Sequence, residues 1–207
     1  MCMDDPKLRP FSAGPKYHHE ALNGTGYPEG LTKKDIPIEG QIIRVADEFD
    51  AIVSKRQYKT HIGVTDTLKI LIDEAQTQVP KSVALKSMEE NVMIGKINAR
   101  VVRALFKVVI DDINYEISCI YDYTKYLDKQ IKRLEDINKY MIKMEKTRNP
   151  RKKENLEMTI KLMLQEGETF KNYKYVLEEY RTAHMKRKEI IDNLFDEIRI
   201  IKRLRVY

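Results

Sequence analysis

The spacing of apolar residues divides the chain into three regimes. Up to about residue 38 there is no helical or strand period. Pro6, Pro10, Pro15, Pro28 and Pro37 alternate with Gly14, Gly24, Gly26 and Gly30, which predicts irregular structure, because proline removes a backbone donor and glycine admits positive φ. A short helical turn is expected around Tyr17–Leu22. Past Pro37 the pattern becomes helical. Ile42, Val45, Ala46, Phe49, Ile52 and Val53 recur at three- and four-residue steps, predicting an amphipathic helix from about Glu39 to Ser54. Arg56-Gln57-Tyr58-Lys59 is its charged, aromatic exit. Thr65 or Asp66 is placed to cap a following helix with Leu68, Ile70, Leu71 and Ala75 on its apolar face. Pro80 and a polar stretch separate this from a helix over about Gly95–Tyr115, with Val101, Val102, Leu105, Phe106, Val109 and Ile110 inward.

The third regime is a seam of alternating three- and four-residue steps: Ile117, Ile120, Thr124, Leu127, Ile131 and Leu134, as in a heptad pattern. Thr147-Arg148-Asn149-Pro150 should break it. A second helix is expected from near Lys152, with Leu156, Ile160, Met163, Phe170 and Leu177 on one stripe, running on through Ile191, Leu194, Ile198 and Ile201 to the end. Two long amphipathic helices around a short break imply an antiparallel hairpin or the strands of a dimeric coiled coil. The chain is therefore expected to be all-α, with a first domain over residues 1–115 and a coiled-coil-like tail over 116–207.

Composition narrows the picture. The chain has 207 residues, of which 42% are apolar and 34% charged; this balance suits long helices with one buried stripe and wide solvated faces. No apolar run reaches the roughly 20 residues that cross a bilayer, and Met1-Cys2-Met3-Asp4-Asp5 lacks the order of a signal peptide. Cys2 and Cys119 lie too far apart in unlike contexts to suggest a disulfide framework. A cytoplasmic protein is expected. The net charge of +6 arises wholly in the tail: residues 1–115 carry 16 basic and 16 acidic side chains, residues 116–207 carry 22 and 16. Because the basic residues are interleaved with Glu and Asp, they are read as a solvated face, with neither nucleic acid nor membrane as a partner. His184, among charged neighbours, is read as exposed, and His61 as a loop histidine.

Chemistry concentrates between residues 18 and 59. His18 and His19 are adjacent imidazoles, and Asp47 lies on the helix that follows. Imidazoles and carboxylates suit iron, manganese or zinc, and a metal cluster built on them would hold phosphate oxygens and lower the pKa of a bound water. Asp50, one helical turn beyond Asp47, is placed to orient a neighbour. Arg56 and Lys59 are suited to phosphates, and Tyr27 on a Gly-Tyr-Pro turn offers a stacking face for a base. Each feature has a plainer reading when taken alone: a His-His pair in a turn, surface carboxylates, helix-end charges stabilised by the dipole, glycines that only shape a loop. Their order and spacing together point to a phosphodiester substrate.

The run His18-His19-Glu20-x-x-x-Gly24-x-Gly26-Tyr27-Pro28-x-Gly30-Leu31, then Ile36-Pro37, Ile42-Ile43-x-Val45-Ala46-Asp47-x-x-Asp50-Ala51 and Arg56-x-Tyr58-Lys59 resembles the second half of an HD-GYP domain. The motif match covers residues 17–59, and Gly95–Tyr115 is similar to that domain's last helix. The HD-GYP domains belong to the HD-domain phosphohydrolases, which are all-helical, carry two or three metal ions, and hydrolyse the bacterial second messenger cyclic di-GMP. The resemblance implies His18, His19 and Asp47 as metal ligands, Asp50 as a supporting partner, and Arg56 and Lys59 as the phosphate-binding pair. Tyr27 would lie in the signature turn, through which members of the family contact diguanylate cyclases.

The sequence also departs from the family. Asn23 stands where an acidic residue is usual, and Gln57 where a proline is. The 17 residues before His18 contain no histidine, whereas the family's His-Asp pair and further His ligands come well before the His-His. The resemblance thus implies the C-terminal half of the domain only, with too few ligands for a multi-metal cluster and no activity alone; the catalytic residue is not identified. A fragment of a longer phosphodiesterase is the expectation. The alternative is a non-catalytic signalling module that dimerises through its helical tail.

Overall fold

The computed structural model describes residues 12–54, 63–76 and 95–204, and these are helical, with no strand among them beyond a single antiparallel bridge between Asn23 and Thr32. The helices are α1 (Ala13–Tyr17), α2 (Ile38–Val53), α3 (Val64–Gln76), α4 (Ala99–Lys146), α5 (Pro150–Met163) and α6 (Tyr173–Ile201). The expected all-α class holds. Cys2, the Arg56–Lys59 exit, His61 and Pro80 lie outside the described residues. The chain divides into two compact units, one of residues 1–112 with 197–207 and one of residues 113–196.

In the first unit, α1 is a single turn that precedes the histidines rather than carrying them. It packs closely on α2: a methyl added at Gly14 would overlap the Ile43 side chain, and one at Gly40 would press on Tyr17. Helix α2 matches the expected span, but its inward face is Gly40, Gln41 and Val45, with Phe49 packed alongside. Ile42 and Ala46, expected inside, are exposed. Thr65 and Asp66 sit within the first turn of α3 rather than capping it; Asp66 pairs there with Lys69. On α3, Ile72 and Thr67 are buried and Ile70 is turned out. Val45, Leu71, Ala75, Ile97 and Val102 form the core of this unit, with Phe49, Leu105 and Phe106 against it. Its turns are tied by backbone bonds from Leu22 N to Lys96 O and from Lys96 N to Glu74 O, both 2.9 Å. Buried Gln41 adds a side-chain link, donating to Ile36 O and accepting from Asn98.

Asn98 opens α4, its Oδ1 accepting from Arg100 N at 2.9 Å. The helix then continues for 48 residues without the expected end near Tyr115. Nothing between residues 112 and 118 stops a helix: the stretch has no Gly, no Pro and an unbroken apolar stripe.

In the second unit the expected seam is confirmed, with Thr124, Leu127, Leu134 and Ile137 buried and Ile117, Ile120 and Ile131 half-buried. The break at 147–149 is also as expected. Asn149 caps α5, its Oδ1 accepting from Lys152 N, and Pro150 takes the first helical position, where its missing N–H costs nothing. The return arm, however, is broken a second time. Residues 164–172 separate α5 from α6, with Gly167 at φ +81°. Thr169 and Asn172 bond reciprocally to each other's backbone N–H, a capping-box arrangement that starts α6. Both arms run antiparallel to α4: Arg133 meets Met163 at the end of α5, while Asn138, Glu135 and Asp128 meet Tyr173, Arg181 and His184 successively along α6. Leu134, Ile137, Ile160, Tyr173 and Leu177 make the core where the three segments meet. His184, expected to be free in solvent, is largely covered and pairs with Asp128 at 3.0 Å.

Candidate metal centre

The two histidines lie in the turn that follows α1, and hydrogen bonds from several sides fix that turn. His18 Nδ1 lies 2.7 Å from Pro15 O. A carbonyl can only accept, so Nδ1 carries a proton, and in the neutral ring Nε2 is then the nitrogen with a lone pair to offer a metal. Arg44 on α2 donates through Nη1 to both His19 O and Glu20 O at 3.1 Å. Glu20 is buried, and its carboxylate accepts from Glu29 N (2.7 Å) and Leu31 N (2.9 Å), clamping the Gly-Tyr-Pro turn onto the histidine turn. Tyr27 N donates to His19 O at 3.3 Å. Gly26 is pressed against this backbone; a methyl there would lie 2.2 Å from Ala21 N and 2.5 Å from Glu20 Cα.

This scaffold, with Asp47 on the exposed side of α2, brings His18, His19 and Asp47 together: each offers a ligand atom within 4.8 Å of the other two. Ligands about 2.1 Å from one ion stand roughly 3–4.2 Å apart, so small side-chain movements close the set. Two imidazoles and one carboxylate are a donor set suited to a divalent transition metal, and the residues present therefore fit one ion. His19 and Asp47 are exposed and His18 partly so, which leaves further coordination positions facing solvent. The His18 and His19 rings lie 3.9 Å apart at their centroids.

Tyr27 is 60% exposed and follows into a cis bond with Pro28. Its ring stacks on His19 at 4.7 Å, so one aromatic face is taken and the other points outward. Asp50 is not drawn into the cluster by a hydrogen bond; its Oδ1 accepts from Ser54 Oγ at 2.8 Å. Arg56 and Lys59 lie outside the described residues. Beneath Asp47, Glu48 approaches Arg44, and Glu74 pairs with Lys96 at 3.0 Å. Burial pushes the Glu48 carboxyl above its ordinary range, against the pull of Arg44.

Sequence reasoning named Glu20 in the motif without giving it a role and passed over Arg44 and Gln41. A glutamate directly after the paired histidines, and an arginine three residues before Asp47, were the available signals. Neither distinguishes a backbone clamp from a surface charge without the fold.

A protein-family model described as an HD domain matches residues 3–83. Over 42 residues the chain is 60% identical to a cyclic di-GMP phosphodiesterase of Thermotoga maritima, covering 20% of this chain and 11% of that protein. Residues 3–83 thus resemble an HD domain, and short stretches of the chain are similar to named cyclic di-GMP phosphodiesterases. Among other relatives, a cyclic di-GMP phosphodiesterase of Borreliella burgdorferi is 39% identical over 66 residues, 32% of this chain and 17% of that one. A 3'3'-cGAMP-specific phosphodiesterase of Vibrio cholerae is 36% identical over 76 residues, 35% of this chain and 16% of its own length. The chain thus spans less than a fifth of each of these relatives. No solved structure matches it significantly. The HD-domain match lies within the unit that holds His18, His19 and Asp47, and the residues beyond 83 are outside the family model. Among the described residues no helix is long and apolar enough to cross a membrane.

Proposed function

We propose that residues 1–115 supply the metal-ligating part of a cyclic dinucleotide phosphodiesterase site, with His18, His19 and Asp47 holding one divalent iron or manganese ion. The observation that carries this reading is the convergence of the three donors within residues 3–83, which match an HD domain; the chain's similarity to named cyclic dinucleotide phosphodiesterases supports it. A metal bound there polarises a phosphoryl oxygen and lowers the pKa of a bound water. The protein's own part is positional. Pro15 O sets the His18 tautomer, Arg44 and Glu20 fix the histidine backbone, and the free face of Tyr27 stacks on a base of cyclic di-GMP or a related phosphodiester. Arg56 and Lys59 hold the phosphates, and Asp50 steadies the end of α2. The exposed Tyr27-Pro28 turn is also the surface offered to a diguanylate cyclase. This is a cytoplasmic signalling role.

Three donors fill about half of a six-coordinate shell, so the ion is held weakly, and a two- or three-metal centre needs ligands beyond the three that the described residues bring together. Hydrolysis by the chain alone is accordingly not expected. Titration of the purified chain with manganese, followed by calorimetry, tests the assignment. One weak site is expected, lost in His18→Ala and in Asp47→Ala; undiminished binding by both variants would refute it.

A second, non-catalytic role has its own observation. Between residues 114–128 of α4 and 184–195 of α6 an open groove of about 550 Å³ is lined by Ile117, Tyr121, Ile191 and Phe195. Helix α5 ends beside Arg133 and does not extend to this stretch, where Tyr121 and Phe195 are left about half exposed. We assign the groove to a second copy of the chain, making the tail a homodimerisation element.

A further inference from the structure

The positive charge of the tail is not spread along it. The bend between α4 and α5 carries Lys143, Lys146, Arg148, Arg151, Lys152 and Lys153 within eleven residues, against Glu145 alone. All six cations are exposed, and among the described residues none of them makes an ion pair. Elsewhere in the same unit Lys125, Arg133, Lys139, Lys161 and Arg181 each pair with a carboxylate. Lys143 and Lys146 suit the last turn of α4, whose dipole is negative there. Arg151, Lys152 and Lys153 do the opposite. They crowd the positive end of α5, whose first turn contains no acidic residue. Helix stability disfavours that arrangement, and an external anion relieves it.

Apolar side chains accompany the charge. Arg151, Met158 and Leu162 are seven and four residues apart and so share one face of α5, with Met158 58% and Leu162 82% exposed. Ile142, one turn before Lys146, is also exposed. A groove of about 270 Å³ has Lys143 and Thr147 on one wall and Lys152, Asn155 and Thr159 on the other, room for a phosphate headgroup between two ammonium groups. No aromatic residue occurs between positions 141 and 164, so the stacking platform that single-stranded nucleic acid uses is absent. Clustered cations beside an exposed aliphatic stripe on an amphipathic helix match an anionic lipid surface.

We propose that the α4–α5 bend docks on an anionic bilayer, its basic side chains on lipid phosphates and Met158 and Leu162 entering the interface. This departs from the reading of the tail charge as a solvated face and is independent of the metal centre. The test is flotation of the full chain with vesicles of phosphatidylcholine alone or mixed with phosphatidylglycerol, and titration of a duplex DNA in parallel. Binding is expected only to the mixed vesicles and should weaken with salt. Each neutralised cation should weaken it roughly fivefold, so Arg151→Gln/Lys152→Gln/Lys153→Gln loses on the order of a hundredfold. Met158→Ser/Leu162→Ser should weaken vesicle binding severalfold at constant charge, with circular dichroism showing α5 intact in both variants. Equal binding to phosphatidylcholine alone, or mixed-vesicle binding that ignores the triple substitution, overturns the proposal. Duplex binding at least as tight as vesicle binding, lost in the triple variant while the Met158/Leu162 variant leaves vesicle affinity unchanged, overturns it in favour of nucleic acid.

Discussion

Gly26 has no room for a side chain, because the backbone of Glu20 and Ala21 fills the space a Cβ would occupy. Gly24 is constrained differently: its φ of +78° strains any L-residue, but an added methyl would meet its nearest atom at an ordinary 3.6 Å. Gly24→Ala should therefore cost about 1–2 kcal/mol, and Gly26→Ala at least as much as a forced overpacking, about 1–3 kcal/mol, with displacement of the histidine turn as well. Urea unfolding and manganese titration of both variants check this: Gly26→Ala should lose metal binding, whereas Gly24→Ala should keep more of it. Glu20 makes a second residue-scale prediction. Its two oxygens each accept a backbone N–H from the Gly-Tyr-Pro turn, so Glu20→Gln turns an amide N–H₂ toward one of those donors. A loss of about 1–3 kcal/mol is expected, measured by the same denaturation; no loss would mean the clamp contributes nothing. At this scale the sequence was informative about chemistry and silent about support. His18, His19 and Asp47, which the structure brings together, were legible as a group because imidazoles and carboxylates suit a metal and their order matched a known pattern. Glu20 and Arg44 were not, because their partners are backbone atoms, which every residue has.

Helices were legible where apolar spacing alone decides, and their ends where a stop signal is local. Asn149-Pro150 ended one arm as expected, since a capping side chain and a missing N–H act within one turn. The second break escaped because Met163, Phe170 and Leu177 keep a seven-residue step straight across it, so the stripe looks continuous. Gly167, the lone glycine after residue 95, and the Thr169-x-x-Asn172 box were the signals present. The break is held by one ion pair: Arg133 binds Glu168 through two bonds of 2.6 Å and also donates to Met163 O at 2.8 Å. The Glu168 carboxyl, which also accepts from Gln165 N, is held below its ordinary range chiefly by the Arg133 hydrogen bond. Because the folded value is lowered, the stabilisation is present above the unfolded glutamate range and is lost as pH falls through the folded value. Arg133→Met should thus cost about 1.5–3 kcal/mol at neutral pH, and the gap from the parent should shrink in acid below the ordinary glutamate range. Chemical denaturation at neutral pH and in acid measures both; a gap independent of pH would show that the pair is not its source.

For the whole molecule, the decisive feature is how much apolar surface α4 and α6 leave uncovered. Helix α5 joins them only toward the far end of the second unit, where Leu134, Ile137, Ile160, Tyr173 and Leu177 are buried together. Along residues 114–128 of α4 and 184–195 of α6, Tyr121, Tyr126, Ile190 and Phe195 remain 44–53% exposed. A contiguous apolar groove flanked by Asp128, Lys188 and Asp192 has the composition of an interface, with an apolar centre and a polar rim. If a second copy fills it, a symmetric dimer buries the groove on both protomers. Phe195 is about half exposed, so covering it contributes about 1 kcal/mol per protomer, and its loss counts twice. Phe195→Ser should then raise the dimer dissociation constant roughly thirtyfold while the helix content stays unchanged, since the side chain faces the groove rather than the buried core. Sedimentation velocity across a concentration series distinguishes the outcomes. A parent chain that stays monomeric at on the order of 100 μM, where an association worth about 5.5 kcal/mol would already populate the dimer, leaves the groove without the occupant assigned to it.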